Sequence, residues 1–162
     1  MEAWDIIVLG NGPAALRAAA ESAKTGASTL MMSVDGLGSG DRSAADGIAA
    51  SLQETNNRGH REDTIRSGAF LCDQDIVNST TSAANRQMDL LERWGVNSRR
   101  DSKGIPMVSK SAGHGKPRTV NSGDSTSREV QQVLEEQCMR YGVTRRGDQL
   151  PLSLVHSNQK IN

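Results

Sequence analysis

The sequence predicts a three-layer α/β fold around a parallel sheet, and three observations predict it. A short unbroken apolar run, Asp5-Ile6-Ile7-Val8-Leu9, passes at once into a glycine-bearing turn, Gly10-Asn11-Gly12-Pro13. An Ala-rich stretch free of β-branched residues, Leu16 to Lys24, follows and closes near Gly26. A second apolar run, Ala27 to Ser33, then completes a strand–helix–strand unit of roughly thirty residues, whose crossover is expected to be right-handed.

Each element has its own justification. Ile6 to Leu9 lacks polar alternation, so it reads as a strand buried on both faces. Alanine and leucine favour the helix that follows, and Gly26 supplies its stop. Asp35 to Gly40 holds three glycines and reads as a loop whose backbone is free to approach something. Ser43 to Leu52, rich in small residues, reads as a turn entering a short helix, and Gln53 to Glu62 as a solvated segment. Asp75 to Trp94 repeats apolar residues at helical spacing and stops at Gly95. Arg99 to Pro117 is basic, glycine-bearing and without periodicity. From Ser127 to Tyr141, Val130, Val133, Leu134, Gln137 and Cys138 share one helical face, and Gly142 closes it. Leu150 to Val155 reads as a strand that Pro151 confines to an edge. The expected domain runs over 1–155, with 156–162 a disordered tail.

Composition narrows the function. Nineteen basic residues balance nineteen acidic ones, so the surplus of positive charge that a nucleic-acid binder needs is missing. The basic stretch from Arg99 to Lys116 carries no aromatic residue for a base to stack on, and reads as a solvated loop. No apolar run near the start is long enough to span a bilayer. Cys72 and Cys138 make no disulfide framework and read as packed thiols, so the cytoplasm is the expected location. Aromatic residues are 2% of the chain, so its core must come from Ala, Leu, Val, Ile and Met. No His, Cys and acidic spacing points to a metal.

Gly10-x-Gly12-x-x-Ala15, between strand and helix, is the dinucleotide-binding pattern with Ala in third place. Gly10 makes the tight turn, Gly12 lets the backbone approach a pyrophosphate, and Ala15 allows close helix–strand packing. With Pro13 and Ala14 they form the start of a helix whose free N–H groups suit phosphate. The ribose-binding acidic residue expected about twenty positions on is replaced by Ser33, with Asp35 two residues later. Ser33 offers one hydrogen bond where a carboxylate offers two, so this motif alone leaves the nucleotide open.

Further motifs follow in one order along nearly the whole chain, and together the sequence resembles the FAD-binding portion of the succinate dehydrogenase and fumarate reductase flavoprotein family. That family also contains L-aspartate oxidase. Ala45-Asp46-Gly47-Ile48-Ala49-Ala50 resembles the family's Ala-Gln-Gly-Gly-Ile-Ala segment, which lies against the flavin. His60-x-x-Asp63-Thr64, Gly68 and Leu71-x-Asp73-Gln74 resemble its His-x-x-Asp-Thr and Leu-x-Asp-Gln stretch. Leu91-Glu92-Arg93-Trp94-Gly95-Val96 is similar to Leu-Glu-x-Trp-Gly-Val. Gly113-His114-Gly115 with Arg118, and Asp124-x-Thr126 with the helix ending at Tyr141-Gly142-Val143, fit two further family segments.

The resemblance implies an FAD/NAD(P)-binding, Rossmann-like fold and hydride exchange between a dicarboxylate and FAD. It assigns cofactor contacts to Gly10, Gly12, Pro13, Ala14, Ala15, Ser33, Ala45, Gly47, Ile48 and Asp124, and substrate contacts to His114 and Arg118. Gly40 and Asp41 stand where succinate dehydrogenases carry the His-Thr that binds FAD covalently, so non-covalent FAD is expected. Asp46 and Ser127 replace family glycines. The family's capping domain and its dicarboxylate-binding Arg and His residues lie downstream of the matched portion. The chain is therefore expected to be a truncated form without the cap, and the partners the resemblance implies are a second chain that supplies the cap or an iron–sulfur electron-transfer subunit. Two other readings stay open: a non-catalytic truncated fragment that binds nucleotide weakly or needs a second chain, and an NAD(P)-binding module. His114 reads either as a contact to a carboxylate or flavin oxygen or as a solvated loop residue. His60 reads as a structural hydrogen-bonder and His156 as uninvolved.

Overall fold

The computed structural model describes residues 2–36, 47–52, 54, 56–157 and 160–161. The chain divides into two compact units, one of Met1–Asp41 with Leu134–Asn162, the other of Arg42–Val133.

The first unit is built on a parallel sheet of order β1-β2-β6, with β1 Ile6–Leu9, β2 Thr29–Met32 and β6 Thr144–Arg146. Ile7 lies opposite Leu30, and Leu30 opposite Thr144. Helix α1, Pro13–Lys24, packs on β1 and β2 through Leu16, Ala19 and Ala20, all of them buried. Alanine at two of these three positions keeps the helix close to the sheet, and enclosing Leu16 contributes about 1.5–3 kcal/mol. Leu30, Met31, Leu134, Cys138 and Val143 complete this core, and the Cys138 thiol donates to the Leu16 carbonyl at 3.3 Å.

Two expectations are corrected in this unit. β1 is not buried on both faces: among the described residues β2 is its single strand neighbour, and Ile7 and Leu9 stay about half exposed. The third strand is β6, not Leu150 to Val155. The latter forms no strand, and Leu150, Leu152, Leu154 and Val155 are exposed. β6 reads Thr-Arg-Arg, so no apolar pattern marks it. Its arginines rest half-buried while their head groups meet carboxylates, Arg145 with Glu135 and Arg146 with Glu2. Near the C-terminus, β7 His156–Ser157 pairs antiparallel with β8 Lys160–Ile161.

The second unit holds an antiparallel sheet of order β3-β5-β4, with β3 Ile48–Ala49, β4 Val108–Ser109 and β5 Thr119–Val120. Val120 faces Ile48 on one side and Val108 on the other. Ser43 to Leu52 therefore does not lead into a helix; its described part supplies β3. Helix α2, Arg58–Ser67, packs against α3, Gln74–Trp94. Asp73 caps α3 by accepting from the backbone N–H of Asp75 and Ile76, and Gly95 ends it at φ 123°. Helix α4, Thr126–Arg140, leads from this unit into the first, and Gly142 follows it at φ 72°. Ala50, Val77, Met88, Val96, Val120, Val130 and Val133 are the buried apolar residues among those described in the second unit.

Candidate functional site

In the first unit the chain leaves β1 through Gly10, which holds φ +124° and donates its N–H to the Met32 carbonyl at 2.8 Å. A Cβ on Gly10 would stand 3.3 Å from the Cβ of Ala15, so two small residues let the turn close on the helix. Gly12 is the N-cap of α1, in extended backbone with φ −78° and ψ 175°. That conformation is open to any residue, and a Cβ there would meet nothing within 4 Å. Glycine at this position thus contributes room in front of the helix.

Three features aim that room at an anion. Gly12 gives no side-chain cap, Pro13 occupies the first helical position, and the first turn carries no acidic residue. The amides of Ala14 and Ala15 therefore lie at the positive end of α1 without intrahelical acceptors. A diphosphate fits this cradle by charge and by hydrogen bonding. Ser33, at the end of β2, is buried and donates its hydroxyl to the Asp35 carbonyl at 2.6 Å, which leaves its oxygen free to accept.

The second unit carries Gly47, Ile48, His114, Arg118 and Asp124. Gly47 sits at φ +141°, and a Cβ there would fall 2.3 Å from the Val120 carbonyl oxygen, so no other residue fits beside β5. Ile48 is half-buried in β3, and Asp124 is exposed in the turn before α4. Ala45, like Gly40, Asp41 and Asp46, lies outside the described residues.

Arg118 is the centre of this unit's polar structure. Its side chain is 0% exposed, although it was expected to reach a substrate. Two carboxylates of the same unit hold it instead: Nε donates to Glu54 Oε1 at 2.8 Å and Nη1 to Asp63 Oδ2 at 2.7 Å. Glu54 belongs to a segment that reads as solvated, yet its side chain is only 10% exposed. The guanidinium bonds hold both carboxyls below their usual ranges, with the Gly115 N–H adding to the effect on Asp63. Two carboxylates thus compensate Arg118 internally, which leaves it poorly suited to gripping a substrate carboxylate directly.

Loop 113–118 is pinned to α2 by the same groups. The Gly115 N–H donates to Asp63 Oδ2 at 2.6 Å, and a Cβ on Gly113, at φ +81°, would come 2.8 Å from Ser67 Oγ. His114 Nδ1 lies 2.9 Å from Arg118 Nη1, so this histidine has the orienting partner that sequence alone does not reveal. His60 stands beside it, with ring centroids 6.0 Å apart, and is buried. Burial, reinforced by the positive charge of Arg118, holds the His60 imidazole below its ordinary titration range. Its Nδ1 has no hydrogen-bond partner among the described residues.

Comparison with known proteins agrees with this geometry. A family model described as "FAD binding domain" matches residues 5–162. The L-aspartate oxidase of Streptomyces coelicolor is 30% identical over 156 residues, 94% of this chain and 27% of that protein. A fumarate reductase flavoprotein subunit of Mycobacterium tuberculosis is 31% identical over 149 residues, 90% of this chain and 26% of its own. Among solved structures, a mutant E. coli quinol fumarate reductase superposes with a TM-score of 0.87 at 26% identity, covering 98% of this chain and 28% of that one. The Mycobacterium smegmatis Sdh1 complex in its apo form gives a TM-score of 0.88 at 24% identity over 98% of this chain and 30% of that one, a likeness of fold. The chain thus spans about a quarter of the length of these relatives. A glycine turn shaped for a diphosphate, a parallel sheet behind it and a family match over almost every residue converge on one assignment: the chain belongs to the FAD-binding-domain family of flavoproteins.

Proposed function

We propose that this chain is the FAD-binding portion of an oxidoreductase that exchanges hydride between a dicarboxylate and flavin. The observation that carries the reading is the uncapped start of α1 behind Gly12, with open space where a side chain would stand. There the amides of Gly12, Ala14 and Ala15 would hold the pyrophosphate, with Pro13 shaping the turn. The Ser33 hydroxyl would accept from a ribose, and the family resemblance assigns cofactor contacts to Ala45, Gly47, Ile48 and Asp124. Bound FAD would supply the hydride chemistry, which belongs to the cofactor. This chain's own part is binding and orientation, and His114 is its candidate donor toward a dicarboxylate or flavin oxygen.

Gly40 and Asp41 offer no imidazole for covalent attachment, so the FAD is held non-covalently. The remaining contacts to the dicarboxylate and the cap over it come from polypeptide outside these residues, in this chain or a second one, and an iron–sulfur subunit is the electron-transfer partner of the assembled form. Two free thiols, Cys72 and Cys138, accord with the cytoplasm. Among the described residues, no helix is long and apolar enough to cross a membrane.

An absorbance spectrum of the purified protein tests the reading. Flavin bands that move entirely into the supernatant on acid precipitation are expected. Colour left in the pellet would overturn non-covalent binding, and a colourless protein that takes up NADH but not FAD would overturn the assignment in favour of an NAD(P) module.

A further inference from the structure

Arg118 carries five N–H donors and no acceptor at any accessible pH. One hydrogen of Nη1 is given to Asp63 and the other points to His114 Nδ1, 2.9 Å away. An imidazole protonated on Nδ1 would set donor against donor at that distance. His114 must therefore accept at Nδ1 and carry its proton on Nε2. The arrangement does not depend on a mobile side chain: Arg118 is fully enclosed, its other bonds run to Glu54 and Asp63, and Asp63 also holds the loop bearing His114 through the Gly115 N–H.

We infer that Arg118 is a positioning residue that acts through His114, fixing its imidazole as an Nε2–H donor toward an acceptor oxygen at loop 113–118. The role assigned to Arg118 thereby changes from binding a substrate carboxylate to setting the hydrogen-bond polarity of its neighbour. Arg118, Asp63 and Glu54 then work as one support, and the partly exposed His114 is the group they present. The inference rests on the flavoprotein reading only for what the donor meets, because the tautomer is a property of the chain without ligand.

The test is a long-range proton–nitrogen correlation spectrum of the full 162-residue chain labelled with nitrogen-15. His114 is assigned by the signals that vanish in His114→Gln. In the unmodified chain, His114 is expected to show an unprotonated Nδ1 and a protonated Nε2. Arg118→Met, which removes the donor, should bring in a measurable Nδ1–H population, and Arg118→Gln, whose amide can still donate, should restore part of the original pattern. Where Arg118→Met fails to fold, the triple change Glu54→Gln, Asp63→Asn and Arg118→Met removes the three charges together and replaces it. An Nδ1–H form or a fast average of both forms in the unmodified chain would overturn the inference. So would an unchanged His114 pattern after loss of the Arg118 donor. Loss of flavin binding with the tautomer intact would instead count against the function proposed above, so the two failures are distinguishable.

Discussion

The two units build their functional surfaces from opposite materials. The first uses backbone: two glycines, a proline and the bare amides of a helix start, with no charged side chain in the first turn. The second uses buried charge: one guanidinium enclosed by two carboxylates whose positions along the chain lie 64 and 55 residues from it. A backbone site costs the fold little, because glycine and helix ends are present whether or not a ligand comes. A buried charge network binds stability to the integrity of every member, since each charge depends on the others for what it lost in leaving water.

The largest effect follows from breaking that network. Arg118→Met strands the Glu54 and Asp63 carboxylates and should lower stability by about 3–5 kcal/mol, read as a fall in the urea midpoint. Neutralising both acids in the same chain should recover much of the loss. A single-variant loss of a few tenths would show the cluster to be open to water.

Acid should weaken the second unit next, since Glu54, His60 and Asp63 all belong to it. Glu54 and Asp63 titrate below their ordinary values when folded, so the stability they contribute is complete above the unfolded carboxylate range and is lost as pH falls through the folded values. His60 is also depressed, so the unfolded chain takes up its proton first and stability already declines below about pH 6.5. Denaturation at stepped pH should therefore show two falls, an early one from His60 and a later one from the carboxylates. His60→Gln should abolish the early fall and spare the later one. A single acid transition in the unmodified chain would contradict this order.

Gly12→Val should scarcely move stability, because the backbone there is ordinary and the added side chain points into open space. Flavin retention should nevertheless vanish while the helical circular dichroism persists. Retained flavin at full stoichiometry would separate the glycine from phosphate binding. One variant thus silences the first unit's site without weakening its fold, which no change at Arg118 is expected to do for the second.

The same contrast explains what could be read in the amino-acid sequence. Gly10, Gly12 and Ala15 were legible because turn closure and phosphate approach each require a particular small residue at a fixed spacing. Helices α3 and α4 were legible too, since caps and terminal glycines are local chemistry. β6 was not, because a Thr-Arg-Arg strand takes its place from pairing with β2 rather than from its own pattern. Glu54 looked like one more exposed acid, for only the fold brings Arg118 to it. Asp63 had a signal in His60-x-x-Asp63 and Arg118 one beside Gly113-His114-Gly115, but nothing in the sequence paired the two. The apolar run of β1 carries the pattern of an interior strand, whereas its outer edge has no neighbour among the described strands.

The pairing of Leu30 with Thr144 has a consequence for synthesis. β1, α1 and β2 leave the ribosome before β6 and can associate locally, but the second edge of β2 waits for that strand. The whole of Arg42–Val133 must be translated in between. At about 5–20 residues per second that delay is on the order of ten seconds, far longer than a strand–helix–strand unit needs to collapse. Throughout it, the nascent chain carries a half-built sheet with open backbone on both sides and an Ile-Ile-Val-Leu strand at its margin. Such a species is a natural client for chaperones that bind extended apolar segments. Pauses in translation between residues 42 and 143 would prolong its exposure, whereas pauses after β6 would come too late to matter.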